Sequence, residues 1–274
     1  MSGDEFERVR QDPDPISRGK RATELLTFYQ QRATELARLR RAAIEQAHRE
    51  KGMSYTEIAT ALGITKGRVT QIRGSAPRPE RAFFGVGPVS LGVPYRYQTT
   101  DRERPLIAAE DAKTGDQLEQ LLSTLSLAVT RFQIEPERSE VPPGDALIVC
   151  GPKSAPIGAE LINRDPALTF TKAGRRWWIE HRPSGERYGS PADEDQPQNA
   201  DVAYVARLRT DERVVVHIAG IHAIGSLGAV HYLTANLANL YGETDDKSFS
   251  LAVRSTYDGL DITGSELAAG PFVW

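Results

Sequence analysis

The feature that most constrains this chain is a stretch dense in proline and glycine at 74–95, GSAPRPERAFFGVGPVSLGVPY, because both residue types interrupt regular helices. Before it, the segment from Arg18 to about Lys51 contains no proline and only one glycine, and its apolar residues recur mostly at helical spacing. After it, apolar runs rich in β-forming residues alternate with helical ones. A chain of 274 residues is long enough for two full cores, so the sequence predicts two domains of different class.

The domain boundaries follow from these changes of pattern. We expect a flexible tail over 1–17, a helical domain over 18–80, a linker or first strand over 81–103, and an α/β domain over 104–274. Strands that alternate with helices are typical of crossover units, so the α/β domain is expected to be Rossmann-like with a mainly parallel sheet. The predicted strands are 105–110, 128–134, 145–150, 201–208, 213–219 and 249–254, and the predicted helices are 114–125 and 226–241.

Charge is distributed unevenly along the chain. The formal net charge is −3, but 18–80 holds thirteen Lys or Arg against six Asp or Glu, so this segment carries +7 and the remainder −10. Phosphate neutralisation requires cations only where nucleic acid lies, so the asymmetry favours a DNA-facing helical domain. A solvated arginine-rich helix is the alternative interpretation.

Cysteine usage and hydropathy indicate where such a protein works. Cys150 is the only cysteine and cannot form an internal disulfide, which favours a reducing cytoplasm. No run approaches the roughly 20 apolar residues that span a bilayer, so we expect no membrane partner. The histidines are scattered and suggest no metal site, and no motif specifies a cofactor.

The segment 54–73, SYTEIATALGITKGRVTQIR, carries the most specific pattern. Ser54 and Glu57 form a capping box that fixes the start of one short helix. Gly63 permits a left-handed turn, and Thr65 is suited to cap a second helix. That second helix turns its apolar residues inward and leaves a polar face outward, which has the geometry needed to enter the major groove. The candidate DNA-binding residues are Thr65, Lys66, Arg68, Thr70, Gln71 and Arg73.

This segment resembles the helix-turn-helix of sigma-factor region 4 and of many bacterial repressors. The resemblance covers about 20 residues, or about 60 with the preceding helix, and it implies a helix-turn-helix fold with double-stranded DNA as partner. Gly67 departs from a favourable helix sequence, since glycine costs about 1 kcal/mol relative to alanine. A helical hairpin that only packs, or that contacts protein, is the alternative.

Two loops in the predicted α/β domain resemble ligand-binding turns. Each follows an apolar strand and precedes a predicted helix, where backbone amides can approach phosphate. Neither loop contains a complete dinucleotide-binding or P-loop motif. We therefore expect a nucleotide-like small molecule, with tight turns alone as the alternative. The candidate ligand-binding residues are Gly151, Lys153, Ser154, Gly220, His222, Gly225, Ser226 and Gly228.

The sequence pattern assigns no catalytic residue. His222 is the best candidate for acid–base chemistry because it lies in a glycine-rich loop, whereas His217 and Cys150 fit a core better than a catalytic site.

The sequence thus favours a transcription regulator that binds DNA and senses a ligand. It is expected to act as a homodimer, since two half-sites raise affinity and specificity, and contact with RNA polymerase would fit such a role. A nucleotide- or nucleoside-processing enzyme with a regulatory helix-turn-helix is the first alternative, and a scaffold or defence-type effector is the second.

Overall fold

The computed structural model describes residues 2–99 and 102–274 and divides the chain into two compact units. The first, here called the helical unit, comprises Met1–Pro79 with Val86–Pro88. The second, here called the α/β unit, comprises Glu80–Gly85 with Val89–Trp274. Within the described residues, no helix combines the length and the apolar character needed to cross a bilayer.

The helical unit contains four helices: α1 (Ser2–Gln11), α2 (Pro15–Lys51), α3 (Tyr55–Ala61) and α4 (Lys66–Ser75). Asp14 starts α2 by accepting a hydrogen bond from the Ser17 amide at 2.7 Å, and Gly52 ends it with a φ of +64°. The core joins the last turns of α2 to the two short helices and consists of Ile44, Ile58, Ala59, Val69 and Ile72.

The flexible tail expected over 1–17 differs from the structure, in which α1 and the first turn of α2 occupy most of that segment. This segment is helical because it contacts α2, and the polar composition of the segment did not indicate those contacts. The ring of Phe6 stacks on that of Tyr29 at 5.7 Å, and the Tyr29 hydroxyl donates to Glu5 at 3.1 Å. These contacts give the short α1 a surface of α2 against which to pack.

The α/β unit is built on a seven-stranded mixed sheet. Its strands are β1 (Val89–Pro94), β4 (Val129–Ile134), β5 (Asp145–Val149), β9 (Ala200–Arg209), β10 (Val214–Gly220), β11 (Phe249–Asp258) and β12 (Asp261–Val273). The strand order is β12-β11-β9-β10-β5-β1-β4. The four strands β4, β1, β5 and β10 run parallel, whereas β9, β11 and β12 join antiparallel. The α/β class with a large parallel part is thus confirmed.

Two smaller sheets and three helices complete the α/β unit. The small sheets are β2 (Arg96–Thr99) with β3 (Glu103–Leu106), and β6 (Leu168–Ala173) with β7 (Arg176–His181) and β8 (Arg187–Gly189). The helices are α5 (Ala109–Thr124), α6 (Pro156–Asn163) and α7 (Ala223–Thr244). Short 3-10 helices lie at Pro79–Phe84 and Pro191–Asp193.

The helices cover opposite faces of the parallel strands, as the alternation along β5 shows. Leu147 and Val149 point into a core shared with α5 and α7, whereas Ala146 and Ile148 point into a core shared with α6. Because successive strand residues face opposite sides, a strand read as a continuous apolar run is buried on both faces.

The segment 81–103, predicted as a linker or a first strand, contains β1, which pairs on both sides within the sheet, so the strand interpretation applies. The strand expected at 105–110 is wrong in extent, because β3 ends at Leu106 and α5 begins at Ala109. An apolar run of six residues does not by itself distinguish a strand from the start of a helix.

Candidate functional site

The first candidate surface is formed by α3 and α4. The Ser54 hydroxyl accepts from the Glu57 amide at 3.3 Å, and the Glu57 carboxylate accepts from the Ser54 amide at 2.8 Å, which completes the capping box. Gly63 has a φ of +65° in the turn. The Thr65 hydroxyl then accepts from the Arg68 amide at 3.1 Å and caps α4. Each signal expected for this helix pair from the sequence is therefore present as a contact.

The polar residues expected on α4 lie on its outer side. Val69 and Ile72 are buried, which fixes the orientation of the helix. Arg73 differs from the others, because its guanidinium lies 4.2 Å from the ring centre of Tyr55 and is partly buried. The exposed members of the predicted set are Thr65, Lys66, Arg68, Thr70 and Gln71.

The second candidate site is a cavity of about 660 Å³ in the α/β unit. It lies where β1, β5 and β10 end, with Pro94, Val149 and Gly220 in its wall. Because these strands are parallel, their carboxyl ends meet at one edge of the sheet. The first turns of α5 and α7 complete the wall, through Asp111 and Ser226 among others.

The topology explains why a cavity forms at this edge. From β1 the chain passes through α5 to β4, on one side of β1. From β5 the chain passes through α6, the sheet of β6, β7 and β8, and then β9. It then reaches β10, which lies on the other side of β1 from β4. The two connections diverge and leave a crevice between them, which is where open α/β sheets bind ligands.

Six of the eight predicted ligand-binding residues line this cavity, and two do not. A Cβ on Gly225 would lie 2.4 Å from Asp201 Oδ2, and a Cβ on Gly228 would lie 2.0 Å from Ser255 Oγ. These two glycines therefore let α7 approach the sheet closely. The six that line the cavity are Gly151, Lys153, Ser154, Gly220, His222 and Ser226.

Two of the lining residues also hold the loop together. The Ser226 hydroxyl accepts from the Gly220 amide at 2.9 Å, and a Cβ on Gly220 would lie 2.0 Å from the His222 carbonyl. The turn after β10 consequently requires glycine, whatever the cavity binds.

Lys153 supplies positive charge to the cavity, and His222 supplies an imidazole. The Lys153 ammonium donates to the Ile221 carbonyl at 2.7 Å and lies 5.5 Å from the ring centre of Trp177. Desolvation lowers the pKa of Lys153, with nearby Asp201 opposing that shift. His222 Nε2 lies 3.0 Å from Asp193 Oδ1, so a carboxylate orients the imidazole.

Residues just after β1 also line the cavity, and the sequence did not single them out. The hydroxyl groups of Tyr95 and Tyr97 lie 3.1 Å apart, and this hydrogen bond raises the pKa of Tyr95 to about 12. Arg96 and Glu110 lie in the same wall. Tyr95, Arg96 and Tyr97 directly follow a buried strand, and that position could have indicated ligand contact. Ligands bind at the carboxyl ends of parallel strands.

Asp111, in the first turn of α5, also lines the cavity. Desolvation, with a smaller contribution from Glu110, raises the pKa of its carboxyl group to about 6, and the charge of Arg96 opposes that shift. Among the residues that the structure describes, none donates a hydrogen bond to this carboxylate.

Cys150 also lines the cavity, whereas His217 and His231 do not. Burial raises the pKa of Cys150 to about 12, and burial lowers the pKa of His217 to about 4, so both are neutral core groups at physiological pH. His231 lies 2.7 Å from the Ser265 hydroxyl, outside the cavity wall. Over the described ranges, the acidic, histidine and cysteine side chains form no cluster suited to a metal ion.

No protein-family model, curated protein or solved structure matches this chain. A functional assignment consequently depends on the geometry of the two candidate sites.

Proposed function

We propose that this protein is a cytoplasmic transcription regulator that binds double-stranded DNA through α4, with α3 and α4 acting as a helix-turn-helix. The observation that carries the proposal is the division of α4 into a buried apolar side and an exposed polar side. The exposed side brings Lys66, Arg68 and Gln71 together, and these side chains supply the positive charge and the hydrogen-bonding groups that DNA binding uses.

The chemistry of the exposed face suits the major groove. Arginine can pair bidentately with guanine, glutamine with adenine, and the amino end of a helix with phosphate. In the free protein the Arg68 guanidinium donates to the Gln71 amide oxygen at 2.5 Å. Both groups therefore have a hydrogen bond that DNA bases can replace.

We further propose that a nucleotide-like ligand binds in the cavity and controls DNA binding. The position at the carboxyl ends of parallel strands, the volume and the Lys153 and His222 side chains support this part. A homodimer would present two copies of α4 to half-sites, and contact with RNA polymerase is compatible with the same role.

The proposal is tested by fluorescence anisotropy of labelled random duplex DNA over a salt series. We expect steep salt dependence for the wild-type protein, since phosphate contacts release counterions. Arg68→Ala should weaken binding and reduce the salt slope by about 1, whereas Gln71→Ala should leave the slope unchanged and lower selectivity for a selected site about 5- to 100-fold.

Arg175→Ala is the matched control, because it removes one exposed positive charge from the α/β unit. It should bind as the wild type does. Equal affinity of the wild type and Arg68→Ala at every salt concentration would contradict the proposal.

Gly67→Ala gives an independent test of backbone approach to DNA. A Cβ at this position would meet only the Thr65 hydroxyl, at 3.9 Å, so alanine fits and should stabilise α4 by about 1 kcal/mol. If the α4 backbone approaches the duplex closely, the more stable variant binds DNA more weakly. Tighter binding would show that the backbone stays away from the duplex.

A nucleotide-processing enzyme is the second candidate, and the pairing of His222, in the cavity wall, with Asp193 favours it. An imidazole oriented by a carboxylate is suited to act as a general base. Incubation with nucleoside mono-, di- and triphosphates distinguishes the two. Turnover that is lost in His222→Ala supports the enzyme, and binding without turnover supports the sensor.

A further inference from the structure

The cavity carries charges of both signs, and each sign comes from different elements. Lys153 follows β5, whereas Glu110 and Asp111 lie in the first turn of α5. Arg96, on β2, adds a second positive group. A site for an inorganic anion would gain nothing from the two carboxylates, and a site for a cation would gain nothing from the lysine.

The size of the cavity makes these charges interact. A volume of about 660 Å³ corresponds to a sphere roughly 11 Å across, which is comparable with the Debye length of about 8–10 Å near physiological ionic strength. An anionic group held at Lys153 is therefore only partly screened from Glu110 and Asp111. A second and third phosphate on the same ligand would add negative charge that the same carboxylates repel.

Acidic residues in the first turn of a helix also stabilise the helix dipole, and Glu110 and Asp111 could serve only that purpose. The environment of Asp111 is not explained by the helix dipole alone. Its carboxylate is half-buried at the cavity wall, none of the described residues donates a hydrogen bond to it, and the charge of Arg96 does not offset its desolvation. A helix-dipole contact does not require desolvation, whereas a ligand with hydrogen-bond donors would satisfy this carboxylate.

We infer that the cavity selects a nucleoside monophosphate over nucleoside triphosphates, and that Asp111 is the residue that determines this specificity. The single phosphate lies at Lys153, His222 and the first turn of α7. Asp111 accepts from hydrogen-bond donors of the nucleoside, either ribose hydroxyls or the amino and imino groups of a base, and it repels further phosphates. This inference rests on the proposed nucleotide-like ligand.

Tyr95 and Tyr97 give the nucleoside an aromatic surface at the same wall. Their rings meet edge to face at 5.3 Å, and about half of Tyr97 is exposed. An exposed aromatic ring in a polar cavity is suited to stack on a nucleobase.

The test is isothermal titration calorimetry of the full-length protein with AMP, GMP, ATP, GTP, inorganic phosphate and adenosine, without magnesium. We expect a monophosphate to bind at least about tenfold more tightly than its triphosphate, because each added phosphate charge is repelled by the carboxylates. Asp111→Asn should reduce this ratio about fivefold or more, by removing one of the repelling charges. Glu110→Gln should change it in the same direction.

Asp116→Asn is the control, because Asp116 is an exposed carboxylate of the same helix that pairs with Arg131 outside the cavity. It should leave the ratio unchanged. Equal affinities of mono- and triphosphate, no effect of Asp111→Asn, or inorganic phosphate binding as tightly as AMP would each overturn the inference while the proposed ligand class stands. If no nucleotide binds the wild type, the inference and the ligand part of the proposed function both fail, and DNA binding is judged by its own assay.

Discussion

The candidate surface of the helical unit lies on one helix of ten residues, whereas the cavity of the α/β unit draws its wall from residues between Pro94 and Ser226. The stabilising contacts differ in the same way. In the helical unit, Ser54 pairs with Glu57 three residues along. In the α/β unit, Arg207 donates to the Phe83 carbonyl across 124 positions. The α3–α4 surface could be predicted from sequence because local contacts form it. The cavity of the α/β unit is formed by long-range contacts, so its wall could be predicted only in part.

Arg207 offers the strongest test of this comparison. Its side chain is fully buried and donates to the carbonyls of Phe83, Ala82 and Lys247 at 2.9–3.0 Å. Arg207→Met leaves these acceptors unsatisfied, at about 1–3 kcal/mol each where no water replaces the donor. We expect the free energy of unfolding of the α/β unit to fall by about 3–5 kcal/mol, measured by urea denaturation.

Arg209→Met is the matched control for that variant. Arg207 and Arg209 both form ion pairs with Asp246, at 2.9 and 2.8 Å, but the Arg209 side chain is 41% exposed. An exposed pair contributes about 1 kcal/mol or less, so this variant should remain close to wild type. Similar losses in both variants would mean that burial across the fold is not what gives Arg207 its effect.

His217 makes stability of the α/β unit depend on pH. Its Nε2 donates to the Cys150 carbonyl at 2.7 Å, and burial lowers its pKa to about 4 from an ordinary 6.5. Between those values the unfolded chain takes up a proton that the folded state refuses, so stability is lost as pH falls below 6.5. At about 1.36 kcal/mol per pH unit, the loss from this group reaches about 2 kcal/mol by pH 5.

His217→Gln keeps a donor for the Cys150 carbonyl and removes the titration. Urea denaturation at pH 7.5 and pH 5 should therefore show a smaller pH effect in the variant than in the wild type, and the other titrating groups cancel in that difference. An identical pH effect in both proteins would contradict the assignment.

Gly228 tests whether a glycine next to the cavity loop serves packing. In Gly228→Ala the new Cβ would lie 2.0 Å from the Ser255 hydroxyl, and overpacking of this kind costs about 1–3 kcal/mol. Ser255→Gly should recover part of the loss in the double variant, as a thermodynamic cycle measures. Normal stability with lost nucleotide affinity would instead place Gly228 in the ligand site.

The smallest effect is expected in the helical unit, at the local cap of α3. Ser54→Ala removes the hydroxyl that accepts from the Glu57 amide and should destabilise this unit by about 1 kcal/mol. Thr56→Ala removes an exposed hydroxyl of the same helix and should cost almost nothing. A cost for Ser54→Ala as large as that for Arg207→Met would break the contrast between local and long-range contacts.

The features that depend on neighbouring residues could be predicted from the amino-acid sequence alone. The caps at Ser54 and Thr65, the turn at Gly63 and the inward side of α4 all follow from interactions over a few positions, so their pattern is complete within the segment. The buried strands β5 and β10 could also be predicted, because burial on both faces requires a continuous apolar run.

Contacts between residues far apart in the chain could not be predicted in this way and were seen first in the folded protein. Asp111 and Lys153 line the same cavity wall. Gly225 and Gly228, predicted to bind the ligand, instead let α7 pack closely against the sheet. The short helix α1 packs against α2. The antiparallel strands β9, β11 and β12 join the parallel ones. The physical reason is that strand order and helix placement are set by pairings between segments far apart in the chain, and no local periodicity encodes which segments will pair.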